Sequence, residues 1–347
     1  MSEPHASLRP IARWLAWVYG LIAAMVVIGG ITRLTGSGLS MVEWQPLMGA
    51  VPPLSEADWL AVFAQYQRTP QYAQVNHWMQ LGDFKAIFFW EYLHRVLGRL
   101  IGVAFLVPWL VFWARRQLRG PLAARTFVAF LLGGAQGLLG WYMVQSGLVN
   151  VPEVSHFRLA AHLSLALGVA LYVQWLWMGL RWPRPASAAA DRALPLWLPV
   201  TTLALLSLQV VYGAFMAGKR AGKIFSSFPD MNGELLPLGW RSGAGLLRDL
   251  TEHPVAIHVA HRTLAWIVLA ACLALGAVAM QGPGPRLRRA GVAVAGLALL
   301  QVGLGAATVW TGVHIAFAVA HQGTALVLLS SVVAVVYLRS GQDENGC

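Results

Sequence analysis

Four histidines occupy matching positions in the two halves of this chain: His94 and His162 in the first half, His261 and His321 in the second. Each lies near the start of an apolar run long enough to cross a membrane. A histidine inside a bilayer is costly unless it has a partner, so a functional role is the default expectation. Imidazole is a common ligand of iron. The four positions therefore predict two metal sites, most naturally two haems, with all four histidines as ligands.

The elements that must position these histidines are membrane helices. Of the 347 residues, 57% are hydrophobic and 11% are charged, whereas a soluble protein has about 25% charged residues. Lipid excludes unpaired backbone groups, and no ten-residue alternating pattern indicates a barrel. The sequence predicts an all-α polytopic membrane protein with eight transmembrane helices, near residues 14–31, 86–113, 126–145, 158–179, 195–216, 255–280, 290–311 and 315–338.

Membrane topology explains the net charge of +11 better than nucleic-acid binding does. Arginines cluster between spans at 115–125, 181–192 and 286–289, all on one side, which the positive-inside rule makes cytoplasmic. Both termini are then cytoplasmic, and the two long loops, 32–85 and 217–254, face outward. The short N-terminal segment has no clear cleavage site, which favours a multi-pass protein of the bacterial cytoplasmic (inner) membrane.

The two halves resemble each other, which predicts two pseudo-symmetric four-helix bundles, residues 1–185 and 186–347. Each half has four spans, an even number, so both halves enter the membrane from the same side. The matches, in chain order, are Val26–Gly30 with Val210–Ala214, His94-Arg95 with His261-Arg262, Gln136-x-x-Leu139-Gly140 with Gln301-x-x-Leu304-Gly305, and His162 with His321.

The order of the spans pairs the histidines. In an up-and-down bundle the second and fourth helices are diagonal and parallel. His94 and His162 can therefore face each other across the first bundle, and His261 and His321 across the second, as the two axial ligands of one iron. Zinc is disfavoured because the thiolates or clustered third ligand that it prefers are missing. Hydrogen-bonded core histidines, or a proton path, are the alternative.

The two halves differ beside the histidines. Glu91 lies one helical turn before His94, and the equivalent position in the second half is His258. A carboxylate beside only one site predicts proton movement or charge steering there and simple electron transfer at the other. The alternative is that Glu91 only pairs with Arg95. Arg95 and Arg262 need partners at membrane depth, either haem propionates or ordinary protein groups.

Several further features carry weaker expectations. Loop 33–54, with its Gly/Pro turns and Trp44, is interpreted as an ordered cap or an ordinary amphipathic loop. Cys272 and Cys347 are not expected to form a structural disulfide. Surface or interfacial positions are favoured for His77, His156, His253, His258 and His314. Close helix packing, or room for a flat macrocycle, is expected at Gly29, Gly30, Gly133, Gly134, Gly137, Gly140, Gly296, Gly303 and Gly305.

Taken together, the motifs resemble those of the haem A synthase family over residues 14–338. The motifs that carry the resemblance are the loop Arg33–Leu54, Glu91-Tyr92-Leu93-His94-Arg95, Arg158-Leu159-Ala160-Ala161-His162, Ala217-Gly218-x-x-Ala221-Gly222 followed by Phe228-Pro229-x-Met231-x-Gly233, and His321-Gln322. One branch of the family has a cysteine pair in the first outer loop. This chain has none there, so it resembles the branch found in proteobacteria and mitochondria.

The resemblance implies a fold of two four-helix bundles and a reaction on haem. A ring methyl of haem O would be oxidised to a formyl group by successive hydroxylations and loss of water, which gives haem A for cytochrome oxidase. His261 and His321 would ligate a resident haem b. His94 and His162 would flank the substrate haem O, with Glu91 as the essential acidic residue. Haem O synthase, cytochrome oxidase assembly factors and an electron donor would be partners.

Two other functions remain open on the residues alone. A di-haem b-type membrane cytochrome that passes electrons to or from quinone shares the four histidines, although the Glu91/His258 difference and the loop motifs argue against it. A transporter built from a parallel repeat would have broken helices near the membrane midplane, whereas the histidines lie near the ends of their spans.

Overall fold

The computed structural model describes residues 8–43, 51–149, 152–182, 194–282 and 284–340. Eight of its helices are long and apolar enough to cross a membrane, which confirms the predicted all-α, eight-span architecture. These helices are α1 (Arg9–Leu34), α3 (Leu81–Ala114), α4 (Gly120–Gln145), α5 (His156–Arg181), α6 (Trp197–Gly218), α8 (Pro254–Met280), α9 (Pro285–Trp310) and α10 (Ile315–Arg339). Two shorter helices, α2 (Glu56–Tyr66) and α7 (Leu246–Glu252), lie in the long loops.

Local sequence sets the helix starts. A capping box at Gln80 and Asp83 starts α3 five residues before the predicted 86, because each side chain satisfies a backbone N–H of the first turn. Pro285, in the first turn of α9, starts that helix at 285 rather than 290 for a similar reason: its missing N–H needs no partner there. The remaining predicted bounds differ by six residues or fewer.

Each half arranges its four spans as a closed ring of neighbours. In the first half α1 contacts α3 and α5, and α4 contacts α3 and α5; in the second half α6 contacts α8 and α10, and α9 contacts α8 and α10. The equivalent helices therefore have equivalent neighbours. The two halves meet through α1, α5, α6 and α10. The pseudo-symmetry of the two bundles stays a prediction.

Polar contacts join the halves within the apolar core. The Tyr19 hydroxyl on α1 lies 2.6 Å from the Ser330 hydroxyl on α10, and Gln174 Nε2 on α5 donates to the Ser330 carbonyl at 2.8 Å. Gln322 Nε2 donates to the Val26 carbonyl at 2.7 Å. In an apolar environment an unpaired polar group is costly, so these bonds fix how α10 sits against α1 and α5.

The end of the molecule that carries the long loops, here the loop end, has a folded cap. Helix α2 and the top of α3 share a buried aromatic cluster that includes Phe63, Tyr66, Phe84 and Phe88. Met41 packs against this cluster, which supports the ordered-cap interpretation for the described part of loop 33–54; Trp44 lies outside the described residues. Cys272 is a buried free thiol, and Cys347 also lies outside the described residues.

Ion pairs and hydrogen bonds tie the halves together at the loop end. Arg33 donates to the carbonyl of Ala217 at 2.7 Å, and Arg220 pairs with Glu153 at 2.8 Å. Within the second half, Lys219 donates to Glu252 at 2.6 Å, and this bond lowers the pKa of the Glu252 carboxyl below its ordinary value.

Candidate functional site

The structure brings the four histidines together in the predicted pairs. His94 on α3 lies close enough to His162 on α5 for the two imidazoles to interact electrostatically, and His261 on α8 stands in the same relation to His321 on α10. These are the second and fourth spans of each half. The role of each histidine as a ligand stays a prediction.

Each imidazole packs edge-on against a glycine of a neighbouring helix. A methyl group placed on Gly29 would lie 3.1 Å from Cε1 of His94, and one on Gly140 would lie 2.9 Å from Cε1 of His162. In the second half the same distance is 3.5 Å from Gly213 to Cε1 of His261 and 3.1 Å from Gly305 to Cε1 of His321. Any larger residue at Gly29, Gly140 or Gly305 would have to displace the imidazole.

The ring atom that touches the glycine is the same at all four positions. Nδ1 is the next nearest ring atom at Gly29, Gly140 and Gly305, 3.4–3.5 Å from the added methyl group. The contact therefore restrains the position of the ring. An imidazole held in this way can point one nitrogen toward a metal and the other toward the protein.

A glutamine one turn before the glycine holds three of the four rings. Gln136 Nε2 donates to the His162 carbonyl at 2.9 Å and lies 3.1 Å from Nδ1 of that ring. Gln209 does the same for His261, at 3.0 Å and 3.2 Å. Each amide thus restrains the orientation of its histidine by contacting both the ring and the backbone of that residue.

His321 has its tautomer fixed by the backbone. Its Nδ1 lies 3.0 Å from the carbonyl of Gln301, which can only accept, so Nδ1 carries the hydrogen. Nε2 then presents its lone pair, which is the form that ligates iron. The side-chain amide of Gln301 lies 3.4 Å from that nitrogen.

Glu91 is buried at 3% exposure and is fully engaged with neighbouring groups. Its Oε2 accepts from the Ser40 hydroxyl at 2.7 Å and from the Met41 backbone N–H at 2.8 Å, and its Oε1 accepts from Arg95 at 2.6 Å. The pairing with Arg95 is confirmed. Glu91 also holds the first long loop down on α3, a role that the sequence did not indicate.

Arg95 takes ordinary protein groups as partners. Besides Glu91, it donates to the carbonyls of Met41 at 2.7 Å and Glu43 at 2.9 Å. Arg262 in the second half donates through Nε to His258 at 2.9 Å and also to the carbonyl of Asp230. Each half thus uses one arginine to bind its own long loop. The acceptor four residues before it is a carboxylate in one half and an imidazole in the other.

The surface prediction for the remaining histidines is only partly right. His77 and His314 are exposed, as expected. It is wrong for His258, which is 0% exposed and packs against Phe225, and for His156, which is 7% exposed. His156 lies between the halves. Its Nε2 is 2.7 Å from the Thr251 carbonyl, and its Cα and Cβ pack against Gly218.

The close-packing prediction also fails at part of the glycine set. Within the described ranges, no atom lies within 4 Å of a methyl group placed on Gly133, Gly134, Gly137, Gly296 or Gly303. Gly133, Gly137 and Gly140 fall at i, i+4 and i+7, on one face of α4. The face of α4 that contacts His162 at Gly140 therefore borders open space at Gly133 and Gly137, and no other helix of the described residues packs there.

The residues present fit a haem held by paired histidines. Each of the four imidazoles is half-buried, so part of each ring borders open space. Nδ1 of His94 is buried without a hydrogen-bond partner among the described residues. Within those residues no three His, Cys, Asp or Glu groups converge on one point. A haem supplies its own equatorial nitrogens and needs only an axial pair.

Comparison with known proteins decides the family. A profile of the COX15-CtaA family, described as cytochrome oxidase assembly protein, matches residues 12–333. This chain belongs to that family. Among its relatives, the haem A synthase of Rhodospirillum centenum is 44% identical over 336 residues, which cover 96% of this chain and 89% of the relative. The haem A synthase of Rhizorhabdus wittichii is 44% identical over 349 residues (99% and 98%), and that of Nitrosospira multiformis 42% over 340 residues (96% and 94%).

Gln136, Gln209 and Gln301 contact three of the four histidines, which the sequence analysis did not predict. A signal was present, because the spacing Gln-x-x-x-Gly occurs at 136/140, 209/213 and 301/305, each time on the helix beside a histidine. Such a spacing puts the amide and the glycine on one helical face.

The glycine contact predicts unequal effects of two similar substitutions on α4. Gly140→Ala places a methyl group 2.9 Å from Cε1 of His162, so the ring must move, whereas Gly137→Ala meets open space. We expect Gly140→Ala to weaken binding of added ferric haem about tenfold, as loss of an outer-shell partner does. Gly137→Ala should bind as the unaltered chain does. Spectrophotometric titration of the purified proteins with ferric haem checks this. Equal affinities would contradict a role for the Gly140–His162 contact in haem binding.

Proposed function

We propose that this chain is a haem A synthase, which oxidises a ring methyl of haem O to a formyl group and so supplies haem A for cytochrome oxidase. The observation that carries the proposal is the arrangement of two half-buried histidine pairs, each ring beside a glycine, in a chain 42–44% identical to haem A synthases over nearly its whole length. Two haem sites suit a reaction in which one haem is the substrate and a second haem serves the protein.

The two sites divide the work. His261 and His321 hold a resident haem b in the bundle formed by residues 186–347, and when bound this haem carries electrons. His94 and His162 flank haem O in the bundle formed by residues 1–185. The second site is the more rigid, since both its histidines have fixed partners: Gln209 for His261 and the Gln301 carbonyl for His321.

Glu91 is the acidic residue of the substrate site. It lies one turn before His94, and its hydrogen bonds to Ser40 and Met41 keep the loop of residues 36–43 over α3. A buried carboxylate that accepts three hydrogen bonds is held in a fixed position. It can therefore orient a polar group at the substrate or exchange a proton with it at a defined place.

The site geometry also fits a defined topology. Both termini lie on the cytoplasmic side of a bacterial inner membrane, and the loop end, to which the histidines are close, faces outward. Substrate haem O enters from the membrane by handover from haem O synthase. Electrons arrive from a donor, and haem A leaves toward cytochrome oxidase assembly factors. The Arg33–Ala217 and Arg220–Glu153 contacts keep the two haem sites in register across the halves.

The activity is tested by extracting haems from membranes of a host that makes haem O, with and without this chain, and separating them by chromatography. Haem A that appears only with the chain is the expected result. If the amount of haem O is unchanged, no haem A is formed and the purified protein carries two b-type haems, the chain is an electron-transfer cytochrome and the proposal fails.

The resident site predicts the effect of removing either of its ligands. His261→Ala and His321→Ala should each abolish the low-spin b-type absorption of the purified protein, because one imidazole cannot keep the iron six-coordinate. His77→Ala, at an exposed position, serves as the matched control and should keep the spectrum. An unaltered spectrum in both variants of the pair would remove these histidines as ligands.

Glu91→Gln should keep the resident haem and abolish most haem A formation, because the amide cannot exchange a proton or pair with Arg95. Ser40→Ala is the matched variant: it removes one loop contact of Glu91 and leaves the carboxylate. We expect Ser40→Ala to retain most of the product made by the unaltered chain. Equal loss in both variants would mean that Glu91 acts only by holding the loop, and full product with Glu91→Gln would remove it from the reaction.

A further inference from the structure

Arg262 carries a buried positive charge that no carboxylate of the described residues neutralises. The residue is 6% exposed, and none of the ion pairs within the described ranges includes it. The carboxylate of Asp230 is within electrostatic range, but it accepts a hydrogen bond from the Ser227 hydroxyl instead. A guanidinium stays protonated in proteins, so a buried one needs an anion or a full set of acceptors.

The hydrogen bonds of Arg262 leave one nitrogen over. Its Nε donates to Nε2 of His258 at 2.9 Å, and its Nη1 donates to the carbonyl of Asp230. Its Nη2 is buried and has no hydrogen-bond partner among the described residues. A charged donor that is buried without a partner costs more free energy than a neutral one. The N–H groups of Nη2 therefore call for an acceptor that the described residues do not supply.

The guanidinium is held in a fixed position beside the second histidine pair. His258 lies one turn before it on α8, Asp230 belongs to the second long loop, and the centre of the Phe228 ring lies 5.7 Å from its Cζ. Side chains of a helix lean toward its N-terminus, which for α8 is at the loop end. Arg262 directly follows His261 and is close enough to that imidazole to interact with it electrostatically. The unpartnered nitrogen therefore belongs to the surroundings of this histidine pair.

The equivalent arginine of the first half is already neutralised. Arg95 donates to the Glu91 carboxylate at 2.6 Å and to two carbonyls of the first long loop. In the second half the place of Glu91 is taken by His258. An imidazole nitrogen that accepts a hydrogen bond from Arg262 carries no proton of its own, so this ring leaves the charge of the arginine uncompensated. The same corner of the bundle is thus a neutral ion pair in one half and a positive charge in the other.

A carboxylate is the acceptor that fits this nitrogen, and a haem brings carboxylates to a ligating histidine. The propionate groups lie on one edge of the macrocycle and are its most polar part, so this edge faces the polar loop end of the bundle. Bonds from a guanidinium to a carboxylate are short and about twice as strong as neutral ones. A lipid phosphate or a dissolved anion offers the same negative oxygen, but neither is tied to the position of an iron at His261.

We infer that Arg262 binds a propionate of the haem held by His261 and His321, and that Arg95 makes no such contact in the first half because Glu91 already occupies it. Arg262 is thus a specificity-determining residue: the second site selects a haem whose propionates are free, whereas the first site accepts one whose propionates are blocked. The inference rests on the proposed function only in placing a haem at the second histidine pair.

The test compares ferric haem b with its dimethyl ester, which has the same iron and ring but blocked carboxylates. The full-length double variant His94→Ala/His162→Ala leaves only the second pair, and His261→Ala/His321→Ala leaves only the first. At the second pair the ester should bind about tenfold to a hundredfold more weakly than haem b, because a charged hydrogen bond is lost. At the first pair the two should bind equally, which controls for the bulk and solubility of the ester. Spectrophotometric titration measures the four affinities.

Arg262→Gln, made in the variant that keeps only the second pair, separates the propionate contact from a general effect on folding. It should lower the affinity for haem b to that for the ester and leave the affinity for the ester unchanged, because the ester already lacks the contact. His258→Gln keeps the guanidinium and is the matched variant, so it should retain the preference for haem b. If Arg262→Gln does not accumulate, the comparison of haem b with its ester in protein that keeps Arg262 decides the question.

Equal affinities of haem b and its ester at the second pair would overturn the inference and would mean that Nη2 takes a lipid phosphate or a dissolved anion. A second pair that binds neither haem would overturn the ligand assignment together with the inference. None of these affinities depends on the formation of haem A, so the inference can fail while the proposed activity stands.

Discussion

The edge-on contact between an imidazole and a glycine is the constraint on which the rest of this structure depends. It occurs four times, always through Cε1, and it joins α3 to α1, α5 to α4, α8 to α6 and α10 to α9. At Gly29, Gly140 and Gly305 a methyl group would crowd the ring, so these three contacts restrain the separation of two membrane helices at the depth of the histidine. Helix packing and the position of these imidazoles therefore depend on the same atoms.

On this repeated frame the two halves differ in a few polar groups. The buried partner of the loop-binding arginine is Glu91 in one half and His258 in the other, and Gln209 of the second half has Met25 at the equivalent position of the first half. The two sites are also physically connected: Gln322, the neighbour of His321, bonds to the carbonyl of Val26, the neighbour of Met25. The two halves thus surround their paired histidines with different polar groups, with a buried carboxylate in the first half only.

The apolar runs were enough to predict the eight spans, and the matching positions of the histidines in the two halves were enough to predict their pairing. Both patterns can be read along the sequence without knowing any contact between helices. The contacts between helices were less accessible. Close packing was expected at Gly137, where the structure has open space, and His156 was placed at the surface although it lies between the halves. The role of Glu91 in holding Ser40 and Met41 depends on how a loop folds back over α3, which no local pattern encodes. The Gln-x-x-x-Gly spacing was readable in advance, but its meaning required knowing which helix faces each histidine.

The central claim is that each histidine pair ligates one iron. Anomalous scattering at the iron edge, from crystals of the haem-loaded protein, locates the iron atoms directly. The account predicts two peaks, one between His94 and His162 and one between His261 and His321, each at coordination distance from both imidazoles. A single peak shared between the halves, or an iron that is bound by none of the four histidines, would contradict it.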